Sequence, residues 1–116
     1  MIAIIMGTYN GEKYIKEQID SILAQDYVGW KLFIFDDGSK DNTENIANEY
    51  VKKYPDKIVG FVAQKNQGAQ DNIWKAVTSV DTKYFIILEA DDYWCNEKKL
   101  EYQIDALEKH PECSFC

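Results

Sequence analysis

The stretch KLFIFDDGSKDNTENIANEYVKKYP, residues 31–55, contains one complete strand, loop and helix. Leu32 to Phe35 is a short, continuous apolar run, the pattern of a strand buried on both faces. Gly38 permits a sharp exit from that strand, because a residue without Cβ tolerates turn conformations closed to others. Asp41 and Glu44 have the spacing of a capping box, and Ile46, Ala47, Tyr50, Val51 and Tyr54 then fall on one helical stripe. Pro55 ends the helix, since proline lacks the amide needed to continue it.

Working outward, the same unit recurs. Further apolar runs lie at Ile2 to Met6, Ile58 to Val62 and Tyr84 to Leu88. Helical stripes follow them: Ile15, Ile19, Ile22 and Leu23, with Asn10 as the expected N-cap; Ile73, Trp74, Val77 and Val80, after a turn at Gly68; and Leu100, Ile104 and Leu107, after Asn96 and before Pro111. Strands alternating with helices of this length predict right-handed crossovers and a three-layer α/β/α sandwich around a mainly parallel sheet. No internal repeat or linker-like segment divides the chain.

Composition narrows the partners. The 116 residues, 46% hydrophobic, suit one domain. Thirteen basic and twenty acidic side chains give a net charge of −7, which repels nucleic-acid polymers. No apolar run reaches the roughly 20 residues of a membrane span, and the opening MIAIIMG lacks the basic start of a signal peptide. Three cysteines, two of them in the last four residues, make no disulfide framework. The expected location is cytoplasmic, with the inner face of the membrane as the setting for a longer protein.

Each strand run leads into a polar cluster: GTYNGE, DDGSKD, QKNQG and EADD. In a parallel sheet all four lie along one edge, where open α/β sheets bind ligands. Such residues also make ordinary turns, yet four clusters on one edge exceed that need. Glu89, Asp91 and Asp92 would repel one another at a strand end, and a divalent cation removes that cost. Carboxylate oxygens are the hard ligands that Mn²⁺ and Mg²⁺ prefer, alongside substrate phosphates. Either Asp36 or Asp37 is available to accept a hydrogen bond from a ligand, and the Tyr9 ring can stack on a flat heterocycle.

The combination of IIMGTYNGEKYIKEQIDSILAQDY, KLFIFDDGSKDNT, KNQGAQDN and YFIILEADDYW resembles the nucleotide-binding half of family 2 glycosyltransferases of the GT-A (Rossmann-like) fold. The resemblance covers essentially the whole chain and implies a truncated GT-A domain: residues 1–116 as the nucleotide-sugar-binding half, without the acceptor half. It implies a UDP-sugar or dTDP-sugar donor, a saccharide or lipid-linked acceptor, and transfer with inversion. Thr8 and Tyr9 would line the nucleobase pocket, Asp37 would accept a hydrogen bond from the base, and Asn66 and Gly68 would shape the pocket wall. Asn10 and Glu12 are placed at the same rim. Asp91 would contact ribose or metal, and Asp92 would coordinate Mn²⁺ or Mg²⁺ bridging to the diphosphate, with Glu89 as a third ligand. The catalytic base is expected in the acceptor half, so no residue here takes that role. Two positions depart from the pattern: AQDN replaces an Ala-Arg-Asn step, keeping Asn72 but not the arginine, and Glu89 stands where an aspartate is usual.

Other classes fit less well. A receiver-like signalling domain needs an acid pair after the first strand, where this chain has GTYN. A thiol or zinc role for Cys113 and Cys116 conflicts with a strand-like tail in which residues three apart face opposite ways. A non-catalytic module that holds a nucleotide or sugar is the remaining alternative.

Overall fold

The computed structural model describes residues 2–62, 78, 81–88 and 94–112. Four strands, β1 (Ile2–Thr8), β2 (Trp30–Asp36), β3 (Ile58–Val62) and β4 (Tyr84–Leu88), form one sheet in the order β3-β2-β1-β4. Every pairing is parallel: Ile2 stands opposite Trp30 and Tyr84, and Leu32 opposite Ile58. The sequence places β1 and β2 correctly but ends both early and starts β2 late, at Leu32 instead of Trp30. Their ladder continues through Gly7 and Phe35 to Thr8 and Asp36, because backbone pairing does not stop where apolar side chains do.

Three helices are described: α1 (Ile15–Leu23), α2 (Thr43–Lys53) and α3 (Lys99–Lys109). The helix expected around Ile73 to Val80 falls on residues that are, apart from residue 78, outside those described. All three described helices cover the same face of the sheet. Ile15, Ile19 and Ile22 of α1, Ala47 of α2 and Leu100 of α3 join Ile2, Ile4 and Met6 of β1 and Leu32 and Ile34 of β2 in one cluster. Burying each isoleucine, leucine or methionine side chain of this cluster contributes about 1.5–3 kcal/mol. The opposite face carries Ile5 and Phe35, with Phe33 against them. The expectation that all four strands are buried on both faces holds for β1 and not for β4, where Phe85 and Ile87 are 49% and 40% exposed. Among the described residues, β4 pairs with β1 alone, and only its helix-covered face is closed.

The two prolines act alike. Tyr54 (φ −128°, ψ 62°) and His110 (φ −126°, ψ 70°) close α2 and α3, and each immediately precedes a proline. Clash with the proline ring drives the preceding residue out of the helical region, so both helices stop there. The start of α3 is fixed from a distance: Gln25 Oε1 accepts from the Leu100 amide (3.1 Å), while Gln25 Nε2 donates to the Asn96 carbonyl (2.7 Å). Among the described residues, no helix is long and apolar enough to cross a membrane.

Candidate functional site

Chain order runs β1, β2, β3 in one direction across the sheet, and β4 then lies on the other side of β1. The reversal places the topological switch point between β1 and β4, and ligands of open α/β sheets bind beyond the carboxyl ends of the strands beside it. The loop after β1 (residues 9–14) borders that point and packs on its other side against the loop after β2 (residues 37–42). The Asp37 amide donates to the Thr8 carbonyl at 3.0 Å, continuing the strand pairing into the loops.

The structure separates the two aspartates that the sequence leaves equivalent. Asp36, buried, accepts from Ser39 twice: Oδ2 from the amide (3.0 Å) and Oδ1 from the hydroxyl (2.5 Å). Both oxygens therefore close the loop on itself. Gly38, at φ 75°, makes the reversal that brings Ser39 back, a backbone region that L side chains rarely adopt. Asp37 is buried at the strand end beside Thr8.

Tyr9, the first residue after β1, is 42% exposed. Thr8 is buried, and its hydroxyl lies beneath Gly11, where an added Cβ would stand 3.0 Å from it. Among the described residues, Thr8 Oγ1 is the buried side-chain polar atom without a hydrogen-bond partner. An unsatisfied buried hydroxyl costs about 1–3 kcal/mol.

Asn10 is not the N-cap of α1. It sits at φ 50°, whereas a capping residue takes an extended backbone, and a turn over Gly11 to Tyr14 intervenes before the helix starts at Ile15. Its side chain instead accepts from the Lys40 amide (2.9 Å). Glu12 behaves likewise, accepting from the Asn42 amide (3.2 Å). At α2 the expected capping box of Asp41 and Glu44 is replaced: Asn42 is the N-cap, without a side-chain cap bond, and Asp41, one residue earlier, accepts from the amide (3.0 Å) and hydroxyl (2.5 Å) of Thr43. Burial pushes the Asp41 carboxyl up, but the bonds from the Thr43 hydroxyl and from the Thr43 and Glu12 amides outweigh it, leaving it below the usual 3.8. The roles of Ser39 and Thr43 were missed by sequence reasoning. Their signal was present as hydroxyl residues two or three places after an aspartate.

Asn66, Gly68, Asn72, Glu89, Asp91 and Asp92 lie outside the described residues, as do Cys113 and Cys116. Among the described residues, no group of three or more His, Cys, Asp or Glu is placed to hold a metal ion. Trp94 packs against the core under Lys99, whose Nζ lies 4.6 Å from the ring centre.

An all-parallel sheet whose order reverses beside β1 defines the chain as an open α/β domain. The chain belongs to the glycosyl transferase family 2, whose model matches residues 3–116. It is 38% identical over 107 residues to the dTDP-rhamnosyl transferase RfbG of Shigella flexneri, covering 88% of this chain and 36% of that protein. The structure of S. aureus TarS 1-349 in complex with UDP-GlcNAc superposes with a TM-score of 0.83 at 27% identity, covering 95% of this chain and 32% of TarS. The mannosyltransferase PcManGT from Pyrobaculum calidifontis, in complex with GDP-Man and Mn²⁺, shares the fold (TM-score 0.84, 23% identity, 91% of this chain and 32% of that one). The fold is that of the GT-A glycosyltransferases. The chain spans about a third of the length of these relatives.

Proposed function

We propose that these residues form the donor side of a glycosyltransferase: they hold a nucleoside-diphosphate sugar at the carboxyl edge of β1 and β2 for transfer to an acceptor hydroxyl, with inversion. The observation that supports the reading is the junction of exposed Tyr9 with buried Asp37 at the carboxyl ends of β1 and β2, next to the switch point, where the Asp37 amide meets the Thr8 carbonyl. That arrangement supplies an aromatic face and a carboxylate, which together suit a flat heterocycle bearing N–H groups. TarS in complex with UDP-GlcNAc and the dTDP-rhamnosyl transferase RfbG support a pyrimidine nucleotide as the donor.

In this reading Tyr9 stacks on the base, Asp37 accepts from it, Thr8 forms the floor, and Asn66 and Gly68 shape the wall. Asp91 and Asp92, with Glu89, would hold Mn²⁺ or Mg²⁺; three carboxylates offer the hard oxygen ligands these ions take, and PcManGT binds GDP-Man together with Mn²⁺. When bound, the ion supplies Lewis-acid stabilisation of charge on the departing diphosphate. None of the residues named here is assigned as the acceptor base. The residues by themselves hold the donor, in a reducing, cytoplasmic setting.

Calorimetric titration of UDP with and without Mn²⁺, repeated with Asp92→Ala, tests the proposal. Metal-dependent binding that disappears in the variant is expected. A folded protein that binds no nucleoside diphosphate under any metal condition would sink it.

A further inference from the structure

The loops after β1 and β2 are tied together by a reciprocal set of bonds. Three successive amides of the first loop donate to side chains of the second loop and of the first residue of α2: Asn10 N–H to Ser39 Oγ (2.8 Å), Gly11 N–H to Thr43 Oγ1 (2.9 Å) and Glu12 N–H to Asp41 Oδ2 (3.3 Å). Two amides return from the second loop to the first: Lys40 N–H to Asn10 Oδ1 (2.9 Å) and Asn42 N–H to Glu12 Oε2 (3.2 Å). The acceptors on the second loop are themselves anchored. Ser39 donates to buried Asp36 at the end of β2, and fully buried Thr43 donates to Asp41. The tie thus runs from the sheet, through both loops, to the first turn of α2.

We propose that Asn10, Glu12, Ser39, Asp41 and Thr43 form a latch that sets the separation of Tyr9 and Asp37, acting as positioning residues for base recognition rather than as ligand contacts. The inference rests on the donor-site reading above and changes the part that Asn10 and Glu12 play in it. Each has a side-chain oxygen directed at an amide of the facing loop. Tyr9 immediately precedes the first latched residue, and Asp37 lies two residues before Ser39. Loops already fixed at the spacing the base requires lose less freedom on binding, which is how preorganisation raises affinity. The left-handed backbone of Asn10 belongs to the same device, because it lets the amide and side chain of one residue engage two successive residues, Ser39 and Lys40.

The latch predicts a loss specific to the base. Asn10→Gly keeps the left-handed backbone and deletes the acceptor, Ser39→Ala deletes the hydroxyl, and Asn10→Asp retains both backbone and acceptor oxygen. With Mn²⁺ present, Asn10→Gly and Ser39→Ala should each weaken UDP binding by roughly three- to tenfold, the ordering cost of one or two interface groups. Pyrophosphate, which has no base, should bind within twofold of the parent, and Asn10→Asp should restore UDP affinity. Simple destabilisation would not separate the two ligands. Unchanged UDP affinity in both deletion variants overturns the latch, and so does an equal loss for pyrophosphate.

Amide hydrogen exchange, measured without ligand, separates this outcome from failure of the donor-site reading. Asn10→Gly should speed exchange at Gly11 and Asn42, neither of which bonds to the Asn10 side chain, while Ile4 in the core stays protected. If only Lys40 is affected, the bonds are independent and the latch is wrong, whether or not the parent binds UDP.

Discussion

Thr43→Val isolates one hydroxyl at the junction of the two loops. Thr43 is fully buried, so valine fills the same space, and the change removes the acceptor for the Gly11 amide (2.9 Å) and a donor to Asp41 (2.5 Å). The two losses are unequal. Gly11 is buried, so its amide has no water to turn to, and an unsatisfied buried donor costs about 1–3 kcal/mol. Asp41 is partly exposed and keeps the Thr43 and Glu12 amides, so solvent replaces most of what it loses. We expect a net destabilisation of about 2 kcal/mol, against a total of about 5–15 kcal/mol for a typical domain, which leaves the protein folded. Urea unfolding at neutral pH measures it, with Thr43→Ser as the companion: it keeps the hydroxyl and loses one methyl, at about 1 kcal/mol. A valine variant as stable as the serine variant would refute the assignment of the Gly11 bond.

The same pair makes a pH prediction. The Asp41 carboxyl titrates below 3.8, so the stability it contributes is present above that value and is lost as pH falls through its lower folded-state value. The deficit of Thr43→Val should therefore narrow in acid below pH 3.8, and carboxyl NMR should show Asp41 titrating higher in the variant than in the parent.

Three further outcomes are expected. Ile19→Ala, at a fully buried position of α1, should cost about 2–5 kcal/mol in urea unfolding, since the surrounding core cannot collapse into the gap. Gln25→Ala leaves the buried Leu100 amide without its acceptor and should cost about 1–3 kcal/mol, with faster exchange confined to the first turn of α3. Tyr50→Phe deletes the bond from the phenol to Asp20 Oδ1 (2.6 Å), which joins α2 to α1. Burial, together with the bond to Asp20, pushes the Tyr50 phenol well above its usual 10.0, so the bond's contribution is complete below pH 10.0 and is lost only as pH rises through the higher folded value. The difference between Tyr50→Phe and the parent should accordingly be flat through neutral pH and close in strong alkali, as followed by unfolding across that range.

The sequence by itself determined the described strands to within two residues and the points where α2 and α3 stop. Uninterrupted runs such as Ile2 to Met6 form the strands, and Pro55 and Pro111 end helices through local sterics that act on the preceding residue alone. It also determined the family, because TYN and DDGSKDNT are local strings. Tertiary structure decided what those strings do. Asn10 has the composition of a helix cap, yet it bonds residues 29 and 30 positions away, and Gln25 caps a helix 75 residues later. Asp36 and Asp37 are chemically identical, and their separation depends on which of them Ser39 turns back to meet. A short polar side chain bonds whatever group lies within about 3 Å. The parallel sheet alone brings the two loops to one edge, so a pattern read along the chain finds the residues but not their partners.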